Sequence, residues 1–330
     1  LTDEVVHVSA PARLHLGFLD PGAHWGRRFG GIGLALEEPE TRLAIARSDS
    51  LRVTGPEAKR IEAHLCVMRD RLALAGTYRI DCQSAIPAHT GLGSGTQLAL
   101  ALACGLRKLE GLPLDIEGDA AALGRGKRSG LGASFLTRGG LAVDGGKGEE
   151  DSPPPVVARF DFPEDWRVIL AFERDAAGIH GEAEIEAFAT LPRFSREAAG
   201  EISALTLMQV LPGVAEADIN LFGQGVARIQ ALVGSHFAPA QGGVFASSRV
   251  AQCMECLADL GAHGIGQSSW GPTGFAFAPD ETSAKTLVAR AAERGATQGL
   301  DLQIVRGRNG GAAIERREAE PVPVRRSRTG

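Results

Sequence analysis

Three glycines spaced two apart, Gly91, Gly93 and Gly95, stand within the stretch IPAHTGLGSGTQLALALACGLRKLEG, Ile86 to Gly111. Glycine permits positive φ and lets a ligand approach bare amides, so such a turn can wrap an anion. The apolar run behind it reads as a helix. Its first amides lack intrahelical acceptors, and its dipole places roughly half a positive charge at that end. Gly91, Leu92, Gly93, Ser94, Gly95 and Thr96 are therefore candidate phosphate-binding residues, with hydroxyls from Ser94 and Thr96. A glycine turn serving only close packing of strand against helix would have the same composition. The stretch GRGKRSG, Gly124 to Gly130, sets Lys127 and Arg128 beside Ser129, enough positive charge to neutralise a phosphate, unless these are solvated surface cations. Neither stretch has the dinucleotide spacing or the Lys-Ser/Thr ending of a P-loop.

The chain that must position these groups has 330 residues, long enough for a substantial core and two compact domains. A formal charge of −5 without a basic stripe gives little support to nucleic-acid binding. There is no uninterrupted apolar run of about eighteen residues and no charged-then-apolar leader, so neither membrane span nor signal peptide is indicated. The cytoplasm is the expected compartment. Five scattered cysteines, Cys66, Cys82, Cys104, Cys253 and Cys256, fit reduced thiols better than a disulfide framework. Cys253 and Cys256 form a lone CxxC with no second pair at zinc spacing, so a dedicated zinc site is not expected.

EVVHVSAPARLHLGFLD alternates as a strand does, and TRLAIARSDSLRVTG and YRIDCQSAIP give further strand signals. The helix after Gly95 is apolar on nearly every face through Leu106, which makes it central, and Gly111 suits its C′ position. DGGKGEEDSPPPVV, Asp144 to Val157, reads as a linker or exposed loop near the domain boundary. Beyond it WRVILAFE is a buried-strand pattern, whereas EAEIEAFATLP, ALTLMQVLPG and INLFGQGVARIQALVG read as helices. A helix around Val250 to Leu260, strand-like GFAFAP, helical SAKTLVARAAERG and strand-like LDLQIVRG then suggest an α/β sandwich. The expected units are 1–155 and 156–315, with a charged, proline-containing tail, 316–330, expected to be disordered.

Three glycine-rich segments now stand in order: SAPARLHLGFLD, IPAHTGLGSGTQLAL and GIGQSSWGPTGFAF. This arrangement resembles the GHMP superfamily, which includes galactokinase, homoserine kinase and mevalonate kinase. The family loop Pro-x-x-x-Gly-Leu-Gly-Ser-Ser-Ala is matched by Pro87, Gly91, Leu92, Gly93 and Ser94, with Gly95 and Thr96 replacing Ser-Ala. The resemblance implies an α+β, two-domain fold: an N-terminal domain with a left-handed βαβ crossover and a C-terminal ferredoxin-like sandwich, ligands lying between them. RGKRSGLGASFLTRGG is similar to the kinase segment Gly-Lys-Pro-Ser-Gly-x-Asp, whose Asp acts on the substrate hydroxyl in several members; Gly132 stands at that position here. Glycine offers no titratable group, which disfavours direct phosphoryl transfer to an alcohol.

Segments spanning about Ser9 to Phe277, GQSSWGPT the most discriminating, resemble the non-kinase β-ribofuranosylaminobenzene 5'-phosphate synthase family. That resemblance implies phosphoribosyl diphosphate as donor, 4-aminobenzoate or 4-hydroxybenzoate as acceptor, loss of diphosphate and carbon dioxide, and a place in making tetrahydromethanopterin, a one-carbon carrier. An ATP-dependent small-molecule kinase is the rival reading; a catalytically idle ligand-binding regulator is a third. For the synthase, the loop at 91–96, the helix behind it and magnesium would hold the diphosphate. Lys127, Arg128 and Ser129 would take the ribose 5'-phosphate. Arg13, His15, Arg27 and Arg28 would orient the aromatic carboxylate, with Trp270 or Phe275 covering the ring and Gln267, Ser268 and Ser269 bonding substrate. Arg13, His15, Lys127 and Arg128 are the assigned catalytic charges, each with a structural alternative. Asp20 and Asp144 read as turn caps that could reach magnesium through water. A symmetric dimer is the default assembly.

Overall fold

The structure is a computed structural model that describes residues 4–126, 128–148, 153–173, 178, 181, 186–187 and 189–318. Lys127 and most of 174–188, including much of the expected EAEIEAFATLP helix, lie outside the described residues.

Alternation in the first strand sets one face of the first sheet. In β1 (Glu4–Asp20), Val6, Val8, Ala10, Ala12, Leu14 and Leu16 fall on one side and all are buried. β1 pairs antiparallel with the long β2 (Phe29–Ser48), and β2 with β4 (Thr77–Ser84). The short β3 (Arg52–Thr54) joins β4 in parallel, so the chain crosses over between them through α1 (Ala58–Leu72). β5 (Leu141–Asp144) pairs with β2 and β6 (Val156–Phe160) with β5. α2 (Ser94–Leu109) lies against this sheet, with Leu98 through Leu106 buried on every side; Gly111 follows at φ 69°, in the expected C′ place. Two short helices, α3 (Ile116–Ala122) and α4 (Leu131–Thr137), complete this layer.

β6 remains in the first sheet, so the chain leaves that sheet after Phe160, later than the expected boundary at 155; the prolines at 153–155 connect neighbouring strands. The last strand, β11 (Ala313–Glu318), returns to pair with β1, so 316–318 are strand where a tail was expected. Residues 319–330 lie outside the described residues.

The second sheet is four-stranded and antiparallel, in the order β10 (Leu300–Val305), β7 (Arg167–Glu173), β9 (Gly274–Ala278), β8 (His263–Gln267). In chain order this is fourth, first, third, second, the ferredoxin-like arrangement. One face is covered by α8 (Ser248–Asp259) and α9 (Glu281–Glu293), whose Val250, Cys253, Leu257 and Leu287 pack on Ile169, Ala171 and Ala276. The five cysteines are free thiols, Cys253 wholly buried in that layer.

The other face meets α7 (Ile219–Gln241), and here the two sheets share one core: Leu14, Leu16 and Phe18 of β1 cluster with Phe222, Ile229, Trp270, Phe275 and Phe277. Each such side chain contributes about 1.5–3 kcal/mol on burial. α5 (Arg196–Leu205) continues through a π turn, Thr206–Val210, into α6 (Leu211–Ala215). This run, Arg196–Ala215, is long and apolar enough by composition to cross a membrane, with mean hydropathy 1.2. Ile202, Val210 and Val214 are buried in the shared core, whereas Leu207 and Met208 are exposed.

Candidate active site

The glycine loop is held from two sides. Arg13 of β1 donates its backbone N–H to Leu92 O at 3.0 Å, and its side chain lies beside Gly93, whose missing Cβ would stand 3.3 Å from Arg13 Cβ. From the second domain, Ser268 Oγ donates to Gly91 O at 2.9 Å and accepts from His15 N at 3.0 Å. Gly91 has φ 83°, and a Cβ there would lie 2.1 Å from Ser268 O. Only glycine permits that approach. The loop feeds α2 through Gly93 at φ 77°; the helix has no side-chain cap, and Thr96 N donates to Gly93 O at 3.1 Å, which leaves the amides of Ser94 and Gly95 for a ligand.

Behind Arg13 the β1–β2 ladder shifts register between His15 and Gly17, a bulge of the kind that re-aims a side chain. The His15 ring is buried, and its Nε2 has no hydrogen-bond partner. Burial first, and then the Arg13 charge, hold its pKa well below the usual imidazole value. Asp144, at the end of β5, is 0% exposed. It accepts at Oδ2 from Ser129 Oγ (2.7 Å) and Gly130 N (3.2 Å), and at Oδ1 from Gly146 N (3.0 Å). Burial raises its pKa against the lowering pull of these bonds and of Arg13. His15 Nε2 and Asp144 Oδ2 lie 3.3 and 3.5 Å from the point where a Cβ on Gly31 would stand. The fold thus gathers a cation, a neutral imidazole and a buried carboxylate beside an anion-cradling loop.

Thr96 has a different partner. A Cβ on Gly132 would lie 2.9 Å from Thr96 Cγ2, and Gln97 Nε2 donates to Gly132 O at 2.9 Å. The two departures from the kinase motif therefore fit together: the threonine methyl fills the space that a side chain at 132 would need.

The other candidates are placed as follows. Arg128 is half-buried beside Ser129. Arg27 donates from Nε and Nη2 to the carbonyls of Gly145 and Gly146, both at 2.7 Å, and so pins the turn after Asp144. The Arg28 guanidinium lies 4.9 Å from the Phe29 ring centroid and lines a cleft of about 330 Å³ with Arg193, Phe194 and His236. Gln267 accepts from Ala246 N at 2.7 Å, and its Nε2 donates to Gln241 Oε1 at 3.2 Å. Its backbone N–H donates to Gln230, which reaches Leu16 O at 2.8 Å. This residue braces the domains. Ser269 takes φ 55° in the following turn. Trp270 is buried, its ring centroid 4.4 Å from that of Phe237, and Phe275 is fully buried in the core. Asp20 caps its turn through Gly22 N at 3.0 Å.

Among the described residues no group of three or more His, Cys, Asp or Glu side chains could hold a metal ion. Sequence reasoning passed over Arg60 and Arg125, which crowd Gly95 from α1 and from the turn after α3, and His64, whose ring feels both charges.

This geometry, two α/β layers sharing a core around a glycine loop at a helix start, defines a GHMP-type protein. The chain matches the family models for the GHMP kinases N terminal domain over residues 59–140 and for GHMP kinases C terminal over residues 210–297. It is similar over nearly its whole length to the homoserine kinase of Cytophaga hutchinsonii, at TM-score 0.67 and 16% identity, covering 94% of this chain and 97% of that one. It is also 33% identical to a β-ribofuranosylphenol 5'-phosphate synthase of Archaeoglobus fulgidus, covering 88% of this chain and 98% of the relative. A synthase of the same name from Methanothermobacter thermautotrophicus is 31% identical, covering 83% and 89%. The chain belongs to the GHMP superfamily and, within it, groups with these synthases.

Proposed function

We propose that this protein joins the anomeric carbon of phosphoribosyl diphosphate to the carboxylate-bearing ring carbon of 4-hydroxybenzoate or 4-aminobenzoate, releasing diphosphate and carbon dioxide. The observation that carries this reading is the Thr96–Gly132 contact: the position from which several kinase relatives act on a hydroxyl is occupied by packing, while Asp144 and His15 sit elsewhere beside the loop. The names of the two synthase relatives support the transfer, and their phenol product favours the hydroxy acid.

In this reaction the ring carbon attacks the ribosyl carbon as the carbon–oxygen bond to diphosphate breaks. The electrons of the carbon–carboxylate bond then return to the ring as carbon dioxide departs. A hydroxyl acceptor gives up its proton during attack and regains one afterwards. Asp144, with its raised pKa, is the group suited to carry it, and His15, held neutral, can hydrogen-bond the acceptor. Arg13 and the amides at the start of α2 stabilise developing negative charge. Magnesium would arrive with the diphosphate and supply further neutralisation. Among the described residues no cluster of three His, Cys, Asp or Glu side chains is present, and magnesium takes few protein ligands, so substrate oxygens and water would hold it.

The test is purified protein with magnesium, phosphoribosyl diphosphate and carboxyl-labelled 4-hydroxybenzoate or 4-aminobenzoate, beside an ATP control. Equal release of labelled carbon dioxide and diphosphate without ATP is expected. Silence with both acids, together with ATP-dependent phosphorylation of a small alcohol, would overturn the reading in favour of a kinase.

A further inference from the structure

Gly95 is where the chain departs from the Ser of the family loop, and two arginine side chains converge on it. A Cβ at Gly95 would stand 3.0 Å from Arg125 Nη1 and 3.0 Å from Arg60 Nη2. Arg60 and His64 are four residues apart on α1, one helical turn, and so share a face. Among the described residues the carboxylate paired here is Glu57, which meets Arg60 Nη1 at 2.7 Å. Arg125 Nε and His64 Nε2 are buried atoms with no hydrogen-bond partner.

The electrostatics agree with the geometry. Burial, then Arg125 and Arg60, bring the His64 pKa to about 4. Burial and the Arg60 charge also lower that of Arg125. The two half-buried guanidinium groups repel, and the N-terminus of α2 adds positive potential at the same point. Such an arrangement is stabilised by a bound anion, and guanidinium forks are suited to phosphate oxygens. A side chain at residue 95 would occupy that space.

We propose that Arg60, His64 and Arg125, with the first amides of α2, form a binding site for the diphosphate group of the donor on the α1 side of the glycine loop. This rests on the reading above in taking phosphoribosyl diphosphate as the donor. The loop then carries cations on both flanks, Arg13 over Gly93 and the Arg60–Arg125 pair over Gly95. A donor with phosphate groups at both ends matches a loop so flanked: diphosphate on the Gly95 side, ribose on the side of Arg13, His15 and Asp144.

The experiment is calorimetric titration of inorganic diphosphate, with and without magnesium, into wild-type protein and into Arg125→Gln, Arg60→Gln and Arg125→Lys. KM for phosphoribosyl diphosphate and for the aromatic acid is measured on the same samples. Each glutamine variant should weaken diphosphate binding by about tenfold or more, Arg125→Lys should retain much of it, and thermal midpoints should stay near wild type. In an active enzyme the donor KM should rise while that of the aromatic acid holds. Glutamine variants that fold and bind diphosphate as the wild type does would overturn the site, even with the synthase reaction intact. So would a wild type that does not bind diphosphate. Arginine-dependent diphosphate binding in a protein without synthase turnover would uphold the anion site and remove the reading it rests on.

Discussion

At the scale of single residues, Gly132 and Thr96 make the sharpest claim. With only 2.9 Å between a built Cβ at 132 and Thr96 Cγ2, restoring the kinase-like carboxylate by Gly132→Asp should not restore a kinase. It should overpack this contact and lower stability by about 1–3 kcal/mol in urea unfolding. Adding Thr96→Ala should recover much of the loss, a coupling between neighbours readable in a double-mutant cycle. Additive effects would mean that the two sites do not compete for one space. The missing carboxylate at 132 was readable from the motif. Its partner was not, since the residues are far apart in sequence and meet only when α4 packs on α2. Asp144 shows the same limit: an aspartate before two glycines reads as a turn cap, and it does accept from Gly146, but the Ser129 bond depends on tertiary packing.

At the scale of elements, the anion loop depends on the β8–β9 turn of the other domain as much as on α2. Ser268 joins Gly91 O to His15 N, so Ser268→Ala leaves a buried amide and a carbonyl each short of a partner. A loss of about 1–3 kcal/mol in urea unfolding and weaker diphosphate binding by calorimetry are expected. Unchanged values in both would show that the loop is not held from this side. Gly91→Ala should be worse, because positive φ and the closeness of Ser268 O both oppose a side chain. The glycine loop, the alternating β1 and the apolar α2 were readable because their patterns are local. α1 gave no comparable signal: its Arg60 and His64 lie on a largely polar helix, and the approach of Arg60 to Gly95 follows from the crossover between β3 and β4. The run of prolines read as a linker or an exposed loop, and sequence does not choose between them because it does not state that β6 pairs with β5.

For the whole molecule, burial of histidines ties stability to pH. His15, His64, His236 and His263 all have pKa values lowered chiefly by burial, His64 to about 4. A histidine whose folded pKa is depressed binds fewer protons than its unfolded counterpart. Stability therefore rises with pH between the folded value and about 6.5, and is lost as pH falls through that window. Asp144 acts in the opposite sense, since its raised pKa favours the protonated form in the fold, over a window that begins near the ordinary carboxylate value. Urea unfolding at pH 7.5, 6.5, 5.5 and 4.5 on the wild type should thus show a steady decline below about 6.5. His15→Gln should show a shallower one. His15 belongs to the core between the domains, against Phe18 at 4.5 Å between ring centroids, so its protonation should loosen the docking of the glycine loop on Ser268. Parallel profiles for variant and wild type would mean that His15 is reached by solvent in the folded protein, and would remove the neutral imidazole from the site chemistry.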